Sequence, residues 1–231
     1  MKLSRILSNQ NGISRKQANA LIAAGAVTID GATCLGAARE VDRFATVASH
    51  GRIIQQGEQA HYLMLHKPAG YLSATEDKVH RTVMELIHQS LHSGLHIAGR
   101  LDRASTGLLI LTNDGGWSRR LTDPRIKIPK VYRVSTAKPI SPETTERFAE
   151  GIWFEFEQLT TSPAQLELIG SKETRVTIYE GRYHQVKRMF HAVGNRVTSL
   201  HRESMGYIHL DDSLKPGACR QLTETEINSV R

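Results

Sequence analysis

The feature that most limits how this chain can fold is Leu108-Leu109-Ile110-Leu111, an apolar run closed by the turn signal Asn113-Asp114-Gly115. A short apolar run bounded in this way reads as a buried strand. Just before it lies Gly99-Arg100-Leu101-Asp102-Arg103-Ala104-Ser105-Thr106-Gly107, a carboxylate between two arginines in a segment punctuated by glycines. Glycine permits a sharp turn or the close approach of another group. The pattern therefore holds an acid at the mouth of a core strand, in a locally positive field. Taken alone, it is also what an ordinary loop ion pair looks like.

Gly99-Arg100-Leu101-Asp102 followed by Thr106-Gly107-Leu108-Leu109 resembles the catalytic motif of the RNA pseudouridine synthases of the RsuA/RluA superfamily. The resemblance implies that Asp102 is the nucleophile. The apolar stretch from Tyr62 runs into His66-Lys67-Pro68-Ala69-Gly70, similar to the segment that opens the family's catalytic domain. Lys130-Val131-Tyr132-Arg133-Val134 matches the family's Lys-x-Tyr-x-Val, which implies that Tyr132 stacks on the flipped uracil. Glu180-Gly181-Arg182-Tyr183-His184-Gln185-Val186-Lys187-Arg188-Met189 resembles its Gly-Arg-x-x-Gln helix motif. That match makes Lys187 the ion-pair partner of Asp102, with Arg188 as the neighbouring alternative. Leu200, in the strand-like Val197–Arg202, takes the place of the leucine that covers the other side of the base. Read singly, Tyr132 and Leu200 would be core residues and Lys187 a solvated helix charge.

The first 58 residues read as a separate module. Leu3, Ile6 and Leu7 have helical spacing, and Ser14 is a good N-cap for a helix from Arg15 to Ala24 that Gly25 stops. Val27-Thr28-Ile29 alternates, and Asp30-Gly31 is a hairpin signal before Ala32–Leu35. Helix, helix, glycine, strand and Asp-Gly hairpin resemble the S4 RNA-binding domain. Arg15 and Lys16 would then meet phosphate beside a helix N-terminus. The polar Gln55–Ala60 is the expected linker, so the domains are 1–58 and 59–231. The expected fold is α+β: an S4-like domain, then a catalytic domain with a mixed, mostly antiparallel sheet flanked by helices.

Charge points the same way. With 30 Lys+Arg against 23 Asp+Glu the chain carries +7, which suits a polyanionic partner. Arg119 to Arg133 holds six basic residues and one acid, and between Glu180 and Glu203 there are five Lys/Arg and no acid. Candidate phosphate contacts are Arg15, Lys16, Arg100, Arg119, Arg120, Arg125, Lys130, Arg182, Arg188 and Arg202. Arg103 is either a phosphate contact or a structural partner.

A helix is expected over Val83–Ser90. His88, His92 and His96 share an i, i+4, i+8 spacing, but Gly94 interrupts any common helix and no acidic or Cys ligand joins them, so no metal site is expected. Ser141-Pro142 starts another helix. Strand-like runs follow around 152–156, 164–169 and 174–179, and Thr223 with Glu226 makes a capping box for a last helix. The cysteines, Cys34 and Cys219, lie far apart, which fits a reducing compartment. No apolar stretch suits a signal peptide or a membrane span, so a cytoplasmic location is expected.

The resemblance implies isomerisation of a uridine to pseudouridine in ribosomal RNA, small-subunit 16S rRNA or an assembly intermediate of that subunit, by a monomer. An isomerisation needs no redox cofactor, ATP or metal, and no phosphate-binding glycine loop is present. Two other classes remain: an RNA-binding assembly factor without chemistry, and a hydrolytic N-glycosylase that uses the same carboxylate.

Overall fold

The structure, a computed structural model, describes residues 1–10 and 12–230. The chain divides into two compact units, Met1–Ala60 and His61–Arg231.

In the first unit, helix α1 (Leu3–Ser8) buries Leu3, Ile6 and Leu7, and α2 (Arg15–Ala23) adds Ala18 and Ile22 to the same core. These are the i, i+3, i+4 positions of one helix face. A capping box starts α2: the Gln17 N–H donates to Ser14 Oγ (3.3 Å), and the Ser14 N–H donates to Gln17 Oε1 (2.8 Å). Strands β1 (Val27–Ile29), β2 (Ala32–Thr33), β3 (Val47–Ser49) and β4 (Arg52–Gln55) form an antiparallel sheet in the order β2-β1-β3-β4. Asp30 (φ 49°) and Gly31 (φ 82°) both take left-handed backbone in the turn from β1 to β2, as a two-residue hairpin turn of this hand requires. The polar run expected as a linker is tied to this unit, because the Gly57 N–H donates to Thr46 Oγ1 (3.1 Å) and the Glu58 N–H to the Arg43 carbonyl (2.9 Å). The boundary therefore falls at Ala60, two residues beyond the expected position.

The second unit runs β5 (Tyr62–Lys67), β6 (His96–Ala98), β7 (Thr106–Thr112), α3 (Gly115–Thr122), β8 (Lys130–Thr136), α4 (Pro142–Glu150), β9 (Trp153–Phe154), β10 (Leu159–Thr160), β11 (Gln165–Gly170), β12 (Glu173–Ile178), α5 (Gln185–Ala192), β13 (Val197–Met205), β14 (Ile208–His209), β15 (Cys219–Gln221) and α6 (Glu224–Asn228). Its main sheet has the order β11-β12-β8-β13-β7-β5-β15, with β14 on β13 and β6 on β7. Among the described residues every pair is antiparallel except β7 with β13. The second unit is thus α+β, with a mixed sheet.

β7 shows why its sequence is apolar throughout. Leu109 and Leu111 join Val134, Val176, Phe148 of α4 and Phe190 of α5 on one side of the sheet. Leu108 and Ile110 join Met64 and α3's Trp117 and Leu121 on the other. A strand covered on both sides loses the usual alternation.

Local expectations and structure part over Val83–Ser90. Instead of one helix there are two single 3₁₀ turns, Val83–Leu86 and Gln89–Leu91, separated by an extended Ile87 (φ −108°, ψ 139°). The break lets Val83, Met84 and Ile87 all enter the core, which outweighs the helical spacing. His88, His92 and His96 accordingly share no helix: His88 precedes the second turn, His92 Nε2 bonds the Ile87 carbonyl, and His96 is in β6. Ser141 stands at the N-cap of α4, but its hydroxyl meets Thr144 Oγ1 (3.3 Å), not a backbone N–H. The capping box of Thr223 and Glu226 is present at α6. No helix among the described residues is long and apolar enough to cross a membrane.

Candidate active site

The loop from β6 to β7 carries Asp102, and its course is set by two backbone requirements. Gly99 (φ 87°) and Gly107 (φ 104°) both need left-handed backbone. A Cβ on Gly107 would also run into the backbone N and carbonyl of Arg202. Gly107 faces Arg202 in the parallel pairing of β7 with β13, so glycine is what lets these two strands meet beside the loop.

Three buried side chains then hold the loop from inside. The fully buried Lys67, at the end of β5, donates from Nζ to the carbonyls of Ser105 (2.8 Å), Pro68 (3.0 Å) and Arg103 (3.2 Å). Burial pulls its pKa down to about 8, partly opposed by the charge of Asp102. Ser73 Oγ donates to the Leu101 carbonyl (2.7 Å) and accepts from the Leu101 N–H (3.1 Å). The guanidinium of Arg202, only 1% exposed, donates to the carbonyls of Gly99 (2.8 Å), Leu108 (2.8 Å) and Arg100 (3.4 Å), and to Tyr132 Oη (3.4 Å). Arg202 therefore spans both ends of the loop and ties Tyr132 to it.

Asp102 is left partly exposed and gripped on both oxygens. Lys187 Nζ lies 2.6 Å from Oδ2, and His184 Nε2 lies 3.2 Å from Oδ1. Lys187 is in the first turn of α5, and His184, just before that helix, has left-handed backbone (φ 49°, ψ 30°). A non-glycine residue in that conformation carries local strain. The turn before α5 is braced by the buried Glu180, which accepts from Gln185 Nε2 (2.8 Å), Arg182 Nε (3.0 Å) and the Ser162 N–H (3.0 Å). Asp102, His184, Tyr132 and Leu200 line one cavity of about 690 Å³, a size within the range of small-molecule sites.

The structure thus brings together Asp102, Lys187, Tyr132 and Leu200, which lie far apart in sequence. Arg188 is not in this group: it forms a two-pronged pair with Glu157 and lies over the ring of Phe154 (3.7 Å). Among the candidate phosphate contacts, Arg15, Lys16, Arg100, Arg119 and Arg120 are exposed. Arg125 is exposed but paired with Asp123, and Arg182 is half-buried against Glu180. Arg202 and Lys130 require correction as surface contacts. Arg202 is enclosed by backbone carbonyls, and Lys130, 6% exposed, donates to the Ile128 carbonyl with its pKa lowered by burial to about 8. Both point inward because their strands place them on the covered side of the sheet.

Sequence reasoning gave no role to His184, Lys67 or Ser73. For Lys67 a signal existed, since a lysine ending an otherwise apolar strand needs internal partners. For His184 and Ser73 no local pattern announces a contact with residues so distant in the chain.

One carboxylate, paired with a lysine and close to a histidine at the edge of a cavity with an aromatic wall, is the equipment of an enzyme that works through a single acid. The family described as RNA pseudouridylate synthase matches residues 61–192. The chain belongs to that family. It is 50% identical over the full length of both chains to ribosomal small subunit pseudouridine synthase A of Pseudomonas aeruginosa. It is 45% identical, again over both full lengths, to the protein of that name from Escherichia coli K12. A crystal structure of a pseudouridylate synthase superposes with a TM-score of 0.73 at 37% identity, covering 100% of each chain.

Proposed function

We propose that the chain converts one uridine of small-subunit (16S) ribosomal RNA to pseudouridine, with Asp102 acting at the ribose. The observation that carries this reading is the carboxylate of Asp102, gripped on one oxygen by Lys187 and on the other by His184, at a cavity that Tyr132 also lines. The small-subunit target follows the names of the full-length relatives.

The reaction breaks the bond from N1 to C1′, turns the detached base within the cavity, and joins C5 to C1′. C5 loses a proton and N1 gains one, so the product is an isomer and no electrons are exchanged. Asp102 either attacks C1′ or takes a proton on a glycal route. Lys187 offsets the carboxylate's charge in a partly desolvated position. Tyr132 and Leu200 sandwich the flipped base, and stacking on an aromatic is worth about 1–3 kcal/mol. That helps offset the unstacking needed to extrude the nucleotide. Exposed cations at Arg100, Arg119 and Arg120 add phosphate contacts.

The first unit fits an S4-like RNA-binding domain. Its support is the order of helices, glycine and Asp30-Gly31 hairpin, with Arg15 and Lys16 exposed at the start of α2. We take the enzyme to act as a cytoplasmic monomer on 16S rRNA or an assembling small subunit.

The test compares wild type with Asp102→Ala on small-subunit rRNA, mapping pseudouridine by its carbodiimide adduct. Wild type should create a new pseudouridine and the variant none. Release of free uracil would mean an N-glycosylase instead, and an active variant would remove Asp102 from the chemistry.

A further inference from the structure

Beside the catalytic carboxylate, the rings of two consecutive residues are stacked. Tyr183 and His184 lie with ring centroids 3.9 Å apart and planes 18° from parallel. The left-handed backbone of His184 makes this possible by turning the chain between the two side chains. Both ends of the turn are fastened. The Arg182 N–H donates to Gln185 Oε1 (3.0 Å), the Gln185 N–H to the Arg182 carbonyl (3.1 Å), and Arg188 Nη1 to the Tyr183 carbonyl (3.3 Å). His184 Nε2 also lies 3.2 Å from Asp102 Oδ1. Tyr183, by contrast, is 74% exposed, although it lines the same cavity as Asp102.

An aromatic ring backed by a second ring at the rim of a nucleotide cavity, and largely exposed, is a preformed stacking surface. Every nucleobase offers a π-face to such a surface, whatever its identity. The exposed Arg100 and half-buried Arg182 line the same cavity, where they can meet phosphates of a strand passing over it.

We propose that the outer face of Tyr183 seats the base of a nucleotide flanking the flipped uridine, with His184 as the inner plate that keeps the seat in register with Asp102. This rests on the reading of the site as one that takes a flipped uridine. The seat supplies binding energy from a part of the RNA that does not react, and it holds the strand while the target base is out of its stack.

The test measures equilibrium binding of a 16S rRNA fragment containing the mapped uridine, so it reads independently of product formation. The fragment is used intact and with an abasic nucleotide on the 5′ or the 3′ side of that uridine. Wild type should bind one of the two abasic RNAs about 5- to 150-fold more weakly than the intact fragment. Tyr183→Ala should lose a similar factor on intact RNA and no longer distinguish that abasic RNA, whereas Tyr183→Phe should behave as wild type. Tyr183 is exposed, so an unchanged melting temperature for both variants is expected. The proposal is overturned if Tyr183→Ala binds intact RNA as wild type does, or if its loss and the abasic loss simply multiply. If Asp102→Ala still makes pseudouridine while the Tyr183 coupling holds, the catalytic reading fails and the seat stands. If Asp102→Ala is inactive and the coupling is absent, the reverse is true.

Discussion

Replacing Arg202 with methionine separates two roles that a basic residue in this motif could have. In the structure the guanidinium makes two short bonds, to the Gly99 and Leu108 carbonyls at 2.8 Å each, and two long ones at 3.4 Å to the Arg100 carbonyl and Tyr132 Oη. Methionine fills similar space but leaves those acceptors without a donor, and each buried unsatisfied group costs about 1–3 kcal/mol. Removing a buried charge returns part of that loss. Counting the two short bonds as decisive, the net destabilisation should be about 2–4 kcal/mol. Of the carbonyls released, those of Arg100 and Gly99 lie two and three residues before Asp102 and that of Leu108 six residues after it, so the carboxylate itself should shift. A misplacement of about 1 Å can lower a rate by about 100-fold. The assay pairs urea denaturation with single-turnover pseudouridine formation at saturating RNA. Arg202→Met should lower both stability and rate while RNA affinity stays within a few-fold. Arg202→Lys should restore only part, because one ammonium cannot serve carbonyls at both ends of the loop. If the variant instead kept its stability and rate but lost RNA affinity, the clamp argument would be refuted and Arg202 would be a phosphate contact after all.

Other expectations follow from the same geometry. Burial lowers the pKa of Lys67 from 10.5 to about 8, so between those values the unfolded chain holds a proton that the folded chain has released. Stability then rises with pH in that window: wild type should gain on Lys67→Met between about pH 8 and 10 in urea titrations, and parallel curves would contradict a desolvated lysine. Gly107→Ala should destabilise by more than 2 kcal/mol, about the range for strained backbone, because its Cβ meets the Arg202 backbone and φ is 104°; a melting temperature within a degree of wild type would count against the close strand approach. Arg15→Glu with Lys16→Glu should weaken rRNA binding and flatten its dependence on salt by about 0.7–0.9 in logarithmic slope per phosphate lost, with the single-turnover rate at saturating RNA unchanged. Equal slopes for variant and wild type would take those two residues out of the interface.

Local signals in this chain were legible where the physics is local. The box of Ser14 with Gln17, the box of Thr223 with Glu226 and the hairpin at Asp30-Gly31 each satisfy backbone groups within a few residues, and each is readable from spacing alone. The segment Val83–Ser90 has helical spacing too, yet it breaks at Ile87 because three of its apolar side chains reach the core better from two short turns. Among charged residues the limit is sharper. Arg100 and Arg202 look alike in sequence, but one is exposed and the other is among the most buried side chains of the catalytic domain. Which face of a strand is covered depends on what packs there, and no window of sequence contains that.

The sequence by itself determined that an acid would sit between glycines before an all-apolar strand, and the order of its motifs marked the family to which that acid belongs. Only the tertiary structure decided what holds the acid. Lys187 comes from a helix 85 positions away in sequence, His184 reaches it through a left-handed turn, and Lys67 and Arg202 secure its loop from two other strands. The reason is physical: hydrogen bonds and ion pairs act over about 3 Å, so they form between whichever groups the sheet order brings that close, however far apart the chain places them.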